Sequence, residues 1–419
     1  MTDNIAILSV DGSKRKSAEA RFRLYGMTAI LISLTFLLVM VGSIVLRGSS
    51  AFHQSFVLIE MNLPAEEIDA ENIASERFGK RLKAALREKF PNVKTRKDKK
   101  LLYGLVSSTA EYAIRDKIVQ HPELIGTRAV FSVRTSSDVD MYLKGFVDTK
   151  LDESQRRLND KQLTWIAQLQ NEGLVEKKFN TQFFTGGDSR EPEQAGILGA
   201  VIGSALSLLV CFSVSFPLGV LTAVYLEEFA TKGRLNRIIE VNINNLAAVP
   251  SIVFGLLGLA IFLNVFGLPR STPLVGGLVL ALMTLPTIII ASRASLRAVP
   301  PSIREAATGL GASKVQTTFH HVIPLAMPGM LTGSIIGMAQ ALGETAPLLM
   351  IGMVAFIVDV PAGITDAATA LPVQIFLWAD SPERGFLEKT SAAIMVLLAF
   401  LVVMNLAAIL LRRRLEKRW

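Results

Sequence analysis

Apolar positions in this 419-residue chain gather in long runs that contain no charge. Leu24–Leu46 is 23 residues, Ala195–Leu226 is 32, Leu246–Leu268 is 23, Leu274–Ser292 is 19 and Thr390–Leu411 is 22. A sixth run, Met330–Ala355, is interrupted only by Glu344. A helix that crosses a bilayer needs about 20 mostly apolar residues, so the pattern predicts six spans. The runs are continuous rather than alternating, which excludes a membrane β-barrel. Between the first two runs the chain turns as polar as a soluble protein. There Phe78, Leu82, Ala85, Leu86 and Phe90 recur at helical spacing, and further helical patterns run through Leu101–Val119 and Ser154–Leu169. Ala129–Arg134 and Phe179–Phe184 read as short strands. The fold class expected is therefore an all-α polytopic membrane protein of six transmembrane helices, with an α+β extracytoplasmic domain inserted between helices 1 and 2. The divisions are a tail at 1–23, a span at 24–46, the inserted domain at 47–194, a five-span domain at 195–411 and a basic tail at 412–419.

Composition sharpens the exclusions. Only 19% of residues are charged and 50% are apolar, against about a quarter charged in soluble domains. A soluble enzyme, a nucleic-acid binder and a disulfide-stapled module are set aside. The single Cys211 lies in the second run, can form no intrachain disulfide, and reads as a small core residue. The first run is too long for a signal peptide, and no small-residue cleavage site follows it. With six spans and the N-terminus inside, the cytoplasmic parts hold 17 Lys/Arg against 8 Asp/Glu, and the two short outer loops hold 3 against 5. Positive charge in short loops sets orientation, so both termini are expected in the cytoplasm. Lys14, Arg15, Lys16, Arg412, Arg413 and Arg414 then read as anchors at anionic headgroups of the membrane lipid.

Candidate chemistry is sparse outside one loop. His53 and His121 stand far apart without a Cys/His/Asp cluster, so no metal or hydrolytic site is expected. Lys94–Lys100 reads as a basic, solvated turn, or as a collector of anions. The loop at about 293–329, between the fourth and fifth spans, reads Arg304-Glu305-Ala306-Ala307-Thr308-Gly309-Leu310-Gly311-Ala312, with Ile323-Pro324 further on. This predicts a short helix with Ser302 as cap and Glu305 as its capping-box partner, broken at Gly309/Gly311 and followed by a second helix. No G-x-x-x-x-G-K-[ST] loop is present, and Gly79-Lys80-Arg81 lacks the Ser/Thr, so the chain itself holds no ATP phosphates.

The Glu-Ala-Ala pattern with Gly311 and Pro324 in register resembles the "EAA" loop of ABC-importer permeases, although His321 occupies a position that is usually aliphatic. Leu226-Glu227-Glu228-Phe229, Val249-Pro250-Ser251-Ile252-Val253-Phe254-Gly255 and Leu342-Gly343-Glu344-Thr345-Ala346-Pro347-Leu348-Leu349 narrow the resemblance to the PstA family, permease subunits of bacterial phosphate importers, over about 195–411. The insertion at 47–194 is similar to extended forms of that family, and Gln340 stands where many members carry Arg. The resemblance implies a type I ABC-importer permease fold in the bacterial inner membrane, and a non-enzymatic subunit that passes inorganic phosphate. It implies as partners a sister permease in a heterodimer, two ATP-binding subunits that use ATP and Mg, and a periplasmic phosphate-binding protein. Glu305, Ala306, Ala307, Gly311 and Pro324 would couple to the ATPase.

A phosphate path needs donors and positive charge without a deep trap. Arg293 and Arg297 follow the fourth span on one face and suit either that path or topology anchoring. Glu344 is the only ionisable residue inside a predicted span, and such a residue is functional by default. As a carboxylate it suits an Arg partner or a gate rather than a phosphate ligand. Gln340 and Thr345 extend it into a polar stripe, and Pro347 breaks the helix beside it. Pro250 and Ser251 are expected to break the third span in the same way, while Gly255 and Gly258 permit close packing. Permeases for other oxyanions (phosphonate, sulfate) and a membrane sensor of phosphate status remain as alternatives.

Overall fold

The computed structural model describes residues 12–68, 73, 76–231 and 233–415. Residues 1–11 and 416–419 of the two expected tails, and the side chains of Lys14 and Arg15, lie outside the described residues. The first span belongs to α1 (Gly12–Gly48), a 37-residue helix. Its side chains from Leu24 to Val39 are exposed, and near its end it packs on the last helix, where Gly48 approaches Ala392 and Met395.

A turn leads from α1 into β1 (His53–Asn62), the centre of a three-stranded antiparallel sheet. Around it stand α2 (Phe78–Lys89), α3 (Arg96–Tyr103), α4 (Ala110–Gln120), α5 (Ser137–Leu143) and α6 (Asp160–Asn171), with β2 (Arg128–Arg134) and β3 (Val175–Phe179) flanking β1. Phe78, Leu82, Ala85, Leu86 and Phe90 all enter its core, beside Phe131, Ile114 and Ile166. Several local expectations are corrected. Lys94–Lys100 is largely helix, because Thr95 accepts from the Asp98 N–H and caps α3. The pattern at Leu101–Val119 is two helices, interrupted where Val106 bridges to Thr135 and the Ser107 N–H donates to the Arg134 carbonyl. The third pattern starts at Asp160, where Asn159 and Gln162 form a capping box, rather than at Ser154. Phe179–Phe184 is not a strand: β3 ends at Phe179, and Asn180 caps the short α7 (Thr181–Thr185). The central strand β1 was not expected at all.

The second part contains α8 (Leu198–Val224), extended by a π turn to Phe229, then α9 (Arg234–Ala247) and α10 (Ser251–Gly258), extended to Val265. After these come α11 (Pro273–Arg297), α12 (Pro301–Gly309) and α13 (Lys314–Gln316), which runs through a π turn into α14 (Ile323–Gly343). The short α15 (Ala346–Met350) and α16 (Leu371–Ala379) precede α17 (Phe386–Leu415). Among the described residues five helices are long and apolar enough to cross a membrane, and six if α9 and α10 form one broken span. The third predicted run, Leu246–Leu268, straddles that break, which bends the chain by 103°. Pro250 is the cause, since a residue preceding proline avoids the α conformation. The run interrupted by Glu344, fifth in chain order, is displaced as well. Its helix spans Lys314–Gly343 and stops before Glu344, instead of covering Met330–Ala355.

α11 is the hub of this part and packs on α8, α10 and α14. Small residues bring the helices together: a Cβ on Gly277 would lie 2.5 Å from that of Val210, and one on Gly255 2.7 Å from the Pro347 Cα. Cys211 is buried there with its Sγ 3.5 Å from Thr284 Oγ1.

The sheet domain is joined to the top of α17 by buried charge. Lys144 Nζ lies 2.6 Å from Asp140 and 2.8 Å from Glu388, with all three side chains at most 6% exposed. Ser50 donates to Glu388, and the Ser55 N–H donates to Asp140. Lys389, 1% exposed, rests its ammonium 5.0 Å from the Phe183 ring centre and has no hydrogen-bond partner among the described residues.

Candidate coupling and gating site

α11 ends at Arg297, and two prolines set the next helix. Pro300 is extended, and Pro301 takes the first position of α12, where its missing N–H costs nothing. Ser302 therefore sits inside the first turn and makes no cap, which corrects the expected capping box with Glu305. α12 closes with a Schellman motif: the Ala312 N–H donates to the Ala307 carbonyl and the Gly311 N–H to that of Thr308. Gly311 takes the left-handed φ of +86° that this motif requires, so it is the break in the loop. Ser313 and Gln316 then form the capping box that opens the following helix.

On α12 Glu305, Ala306, Gly309 and Leu310 are exposed, Leu310 at 90%, while Ala307 is buried. Val315 and Phe319 extend the exposed apolar surface beyond the break. Glu305 makes no ion pair among the described residues. Pro324 falls just after the π turn Thr317–Val322, in the first turn of α14, so the "second helix" of the loop is continuous with a span. His321 is exposed on that π turn.

The reason α12 holds its place lies in its only arginine. Arg304 donates to Glu228 at 2.7 Å, and also to the Leu296 and Val299 carbonyls at 2.9 and 2.8 Å. One guanidinium thus ties α12 to the π turn that ends α8 and to two carbonyls where the chain leaves α11, Leu296 in its last turn and Val299 just beyond it. The adjacent Glu227 turns to α11 instead. It accepts from Arg293 Nε at 2.5 Å and from Arg297 at 2.8 and 2.9 Å, and Arg293 also donates to Glu240 of α9 at 2.9 Å. Arg293 and Arg297 therefore occupy the last turns of α11, already neutralised by carboxylates. Glu227, Glu228, Glu240 and Arg304 received no role from the sequence. The Glu227-Glu228 pair at a helix end was the available signal.

The remaining candidates form a second group. Gln340 is exposed on α14; Glu344 is half-buried and extended at φ −80°, ψ 126°; Thr345 precedes α15, and Pro347 is buried in its first turn. Glu344 thus stands at a helix break and not inside a span, and its carboxylate has no ion-pair partner among the described residues. Leu348 reaches the neighbourhood of Gly276, near the start of α11. Seventeen residues of α11 separate Gly276 from Arg293, roughly 25 Å of helix. The structure does not bring the two groups together. Among the described residues no group of three His, Cys, Asp or Glu could hold a metal ion.

Comparison with known proteins assigns the two parts to different families. Residues 215–419 match the binding-protein-dependent transport system inner membrane component, and residues 11–153 match a domain of unknown function, DUF3333. The chain is 35% identical over 224 residues to phosphate transport system permease protein PstA 1 of Mycobacterium tuberculosis (strain ATCC 25618 / H37Rv), covering 53% of this chain and 71% of that protein. It is 33% identical over 226 residues to PstA 2 of Mycobacterium bovis, with coverage of 54% and 74%. An inward-facing MetNI methionine ABC transporter aligns at 16% identity and a TM-score of 0.43, over 53% of this chain and 95% of that one.

Proposed function

The chain belongs to the PstA family of ABC-importer permeases, and from that premise we propose that it translocates inorganic phosphate and leaves ATP hydrolysis to partner subunits. The observation that carries the reading is the 35% identity over 224 residues to relatives named as phosphate permeases. ATP and Mg bind the ATPase partners. Nucleotide-driven closure of those partners presses on the exposed face of α12, Glu305 and Leu310 included, and Gly311 lets that helix turn against α13. Arg304 passes the displacement to α8 and α11 together, because it bonds to both. The spans then rock between outward- and inward-facing states.

In this reading a sister permease completes the path, a periplasmic binding protein delivers phosphate, and both termini face the cytoplasm of a bacterial cell whose inner membrane holds the chain. Arg293 and Arg297, released from Glu227 as the helices shift, offer positive charge at one end. Gln340, Glu344, Thr345 and Pro347 form a gate at the helix break near the other. The test compares phosphate uptake with phosphate-stimulated ATPase activity in the assembled importer. Glu305→Lys and Gly311→Asp should abolish uptake at normal membrane levels of the chain, and normal uptake by both would remove the coupling assignment.

A further inference from the structure

Between the first turn of α9 and the last turns of α8 and α11 lies an open polar basin of about 670 Å³, within the roughly 300–1,000 Å³ range of small-molecule sites. Four guanidiniums line it, from Arg234, Arg237, Arg293 and Arg297, against the carboxylates of Glu227 and Glu240. Those two carboxylates are engaged by Arg293 and Arg297. Arg234 and Arg237 are exposed and make no ion pair among the described residues. No acidic residue stands in the first turn of α9, and its N-cap is Gly233, which has no side chain to satisfy the first N–H groups. Such an end carries partial positive charge and unpaired donors. Two exposed arginines and a helix start therefore line one cavity with no counter-charge of their own.

The rest of α9 bears on what fills that cavity. Leu235, Ile238 and Val241 are 69%, 57% and 51% exposed, and the helix turns through 103° into α10. An amphipathic helix with exposed apolar side chains and arginines at one end suits the boundary between headgroups and acyl chains.

We propose that this basin binds a phosphoryl oxyanion, held by Arg234, Arg237 and the N-terminus of α9. Guanidinium forks match the paired oxygens of a phosphate monoester or diester, and the carboxylates keep Arg293 and Arg297 from competing for it. Inorganic phosphate and the headgroup of an anionic phospholipid share that chemistry. The site does not depend on the transport reading, since a chain that moved another solute would present the same basin.

Two probes separate the sources, both applied to the full chain. Spin-labelled phosphatidylglycerol and phosphatidylcholine, in phosphatidylcholine vesicles, report preference for an anionic headgroup. Equilibrium dialysis of the detergent-solubilised chain reports binding of inorganic phosphate. Arg234→Ala/Arg237→Ala should weaken whichever probe binds by about tenfold or more, since it removes two charge-assisted contacts. Arg234→Lys/Arg237→Lys should retain part of it, and the phosphatidylcholine signal should not change. Preference for phosphatidylglycerol identifies a headgroup site, and arginine-dependent binding of phosphate that phosphatidylglycerol displaces identifies a site for the free ion. Both support the proposal. Binding of neither probe, or equal binding by the folded double variant, overturns it. If the double variant fails to fold, Arg237→Gln alone carries the same comparison.

Discussion

Arg304 joins three elements through one side chain, while its neighbour Glu305 is exposed and makes no ion pair among the described residues. Arg304→Ala should leave Glu228, whose side chain is 9% exposed, without its partner. It should also cut the link between α12 and the ends of α8 and α11. The expected outcome is uptake lowered about 5- to 150-fold, the usual span of a coupling energy, with ATPase activity retained. Arg304→Lys should recover only part, because a lysine cannot reach Glu228 and two carbonyls with one planar fork. Uptake and ATPase rates measured on the same reconstituted importer check both. Gly311→Val places a β-branched residue at φ +86° and should cost about 1–2 kcal/mol locally. Uptake should fall while the amount of chain in the membrane stays near normal. At this scale the short helix and its break at Gly311 were legible from the spacing of the loop. Arg304 was not, because its partners lie at residues 228, 296 and 299 and only the packed helices bring them to it.

Among elements, the helices with long uncharged runs were legible, and those ended by a local exception were not. Pro250 divides α9 from α10, and the chain leaves the helix at Glu344 before Pro347, so two spans begin or stop away from where hydropathy alone puts them. β1 escaped because its sequence directly follows a span and its burial does not alternate cleanly. The join between the sheet domain and α17 escaped for another reason: Ser50 and Ser55, Asp140 and Lys144, and Glu388 come from three segments far apart in sequence. Removing one member of a buried pair leaves the other charged and unpaired, at about 3–5 kcal/mol. Lys144→Ala should therefore loosen the domain from α17, seen as faster proteolysis in the segment around residue 190. Lys389→Met should be neutral or stabilising, because a buried charge is replaced by an apolar side chain of similar volume and the ammonium has no hydrogen-bond partner among the described residues to lose beside its contact with the Phe183 ring. Burial raises the Glu193 carboxyl above its ordinary value of 4.5. A raised acid binds its proton more tightly in the folded chain, so its contribution is complete below pH 4.5 and is lost as pH climbs through the folded value. Thermal unfolding of the wild-type chain and Glu193→Gln across that interval should show the variant losing this part of the pH dependence.

The molecule as a whole pairs a permease part with a domain bound to it by charge, and that bond governs how the two can be separated. Deleting residues 53–180 alone would strand Glu388 and Lys389 without Lys144 and Asp140. The deletion should accumulate poorly, and a version that also carries Glu388→Gln and Lys389→Met should accumulate better. Quantitative blotting of membranes tests this, and phosphate uptake by the rescued form then reports whether the domain is needed for passage. The six apolar runs and the EAA pattern made the architecture of the permease part readable. The relation between the parts was not, since it rests on buried contacts between positions more than two hundred residues apart.

The central claim, that this chain is the phosphate-passing subunit of an ATP-driven importer, is tested most directly by radiolabelled phosphate uptake. The cells should lack this chain and other phosphate carriers, and be compared with and without its restoration beside a sulfate control. Uptake of phosphate restored by the wild-type chain, with sulfate unchanged and Glu305→Lys inactive, is the result expected. Equal uptake with and without the chain, or restoration of sulfate instead, would contradict it.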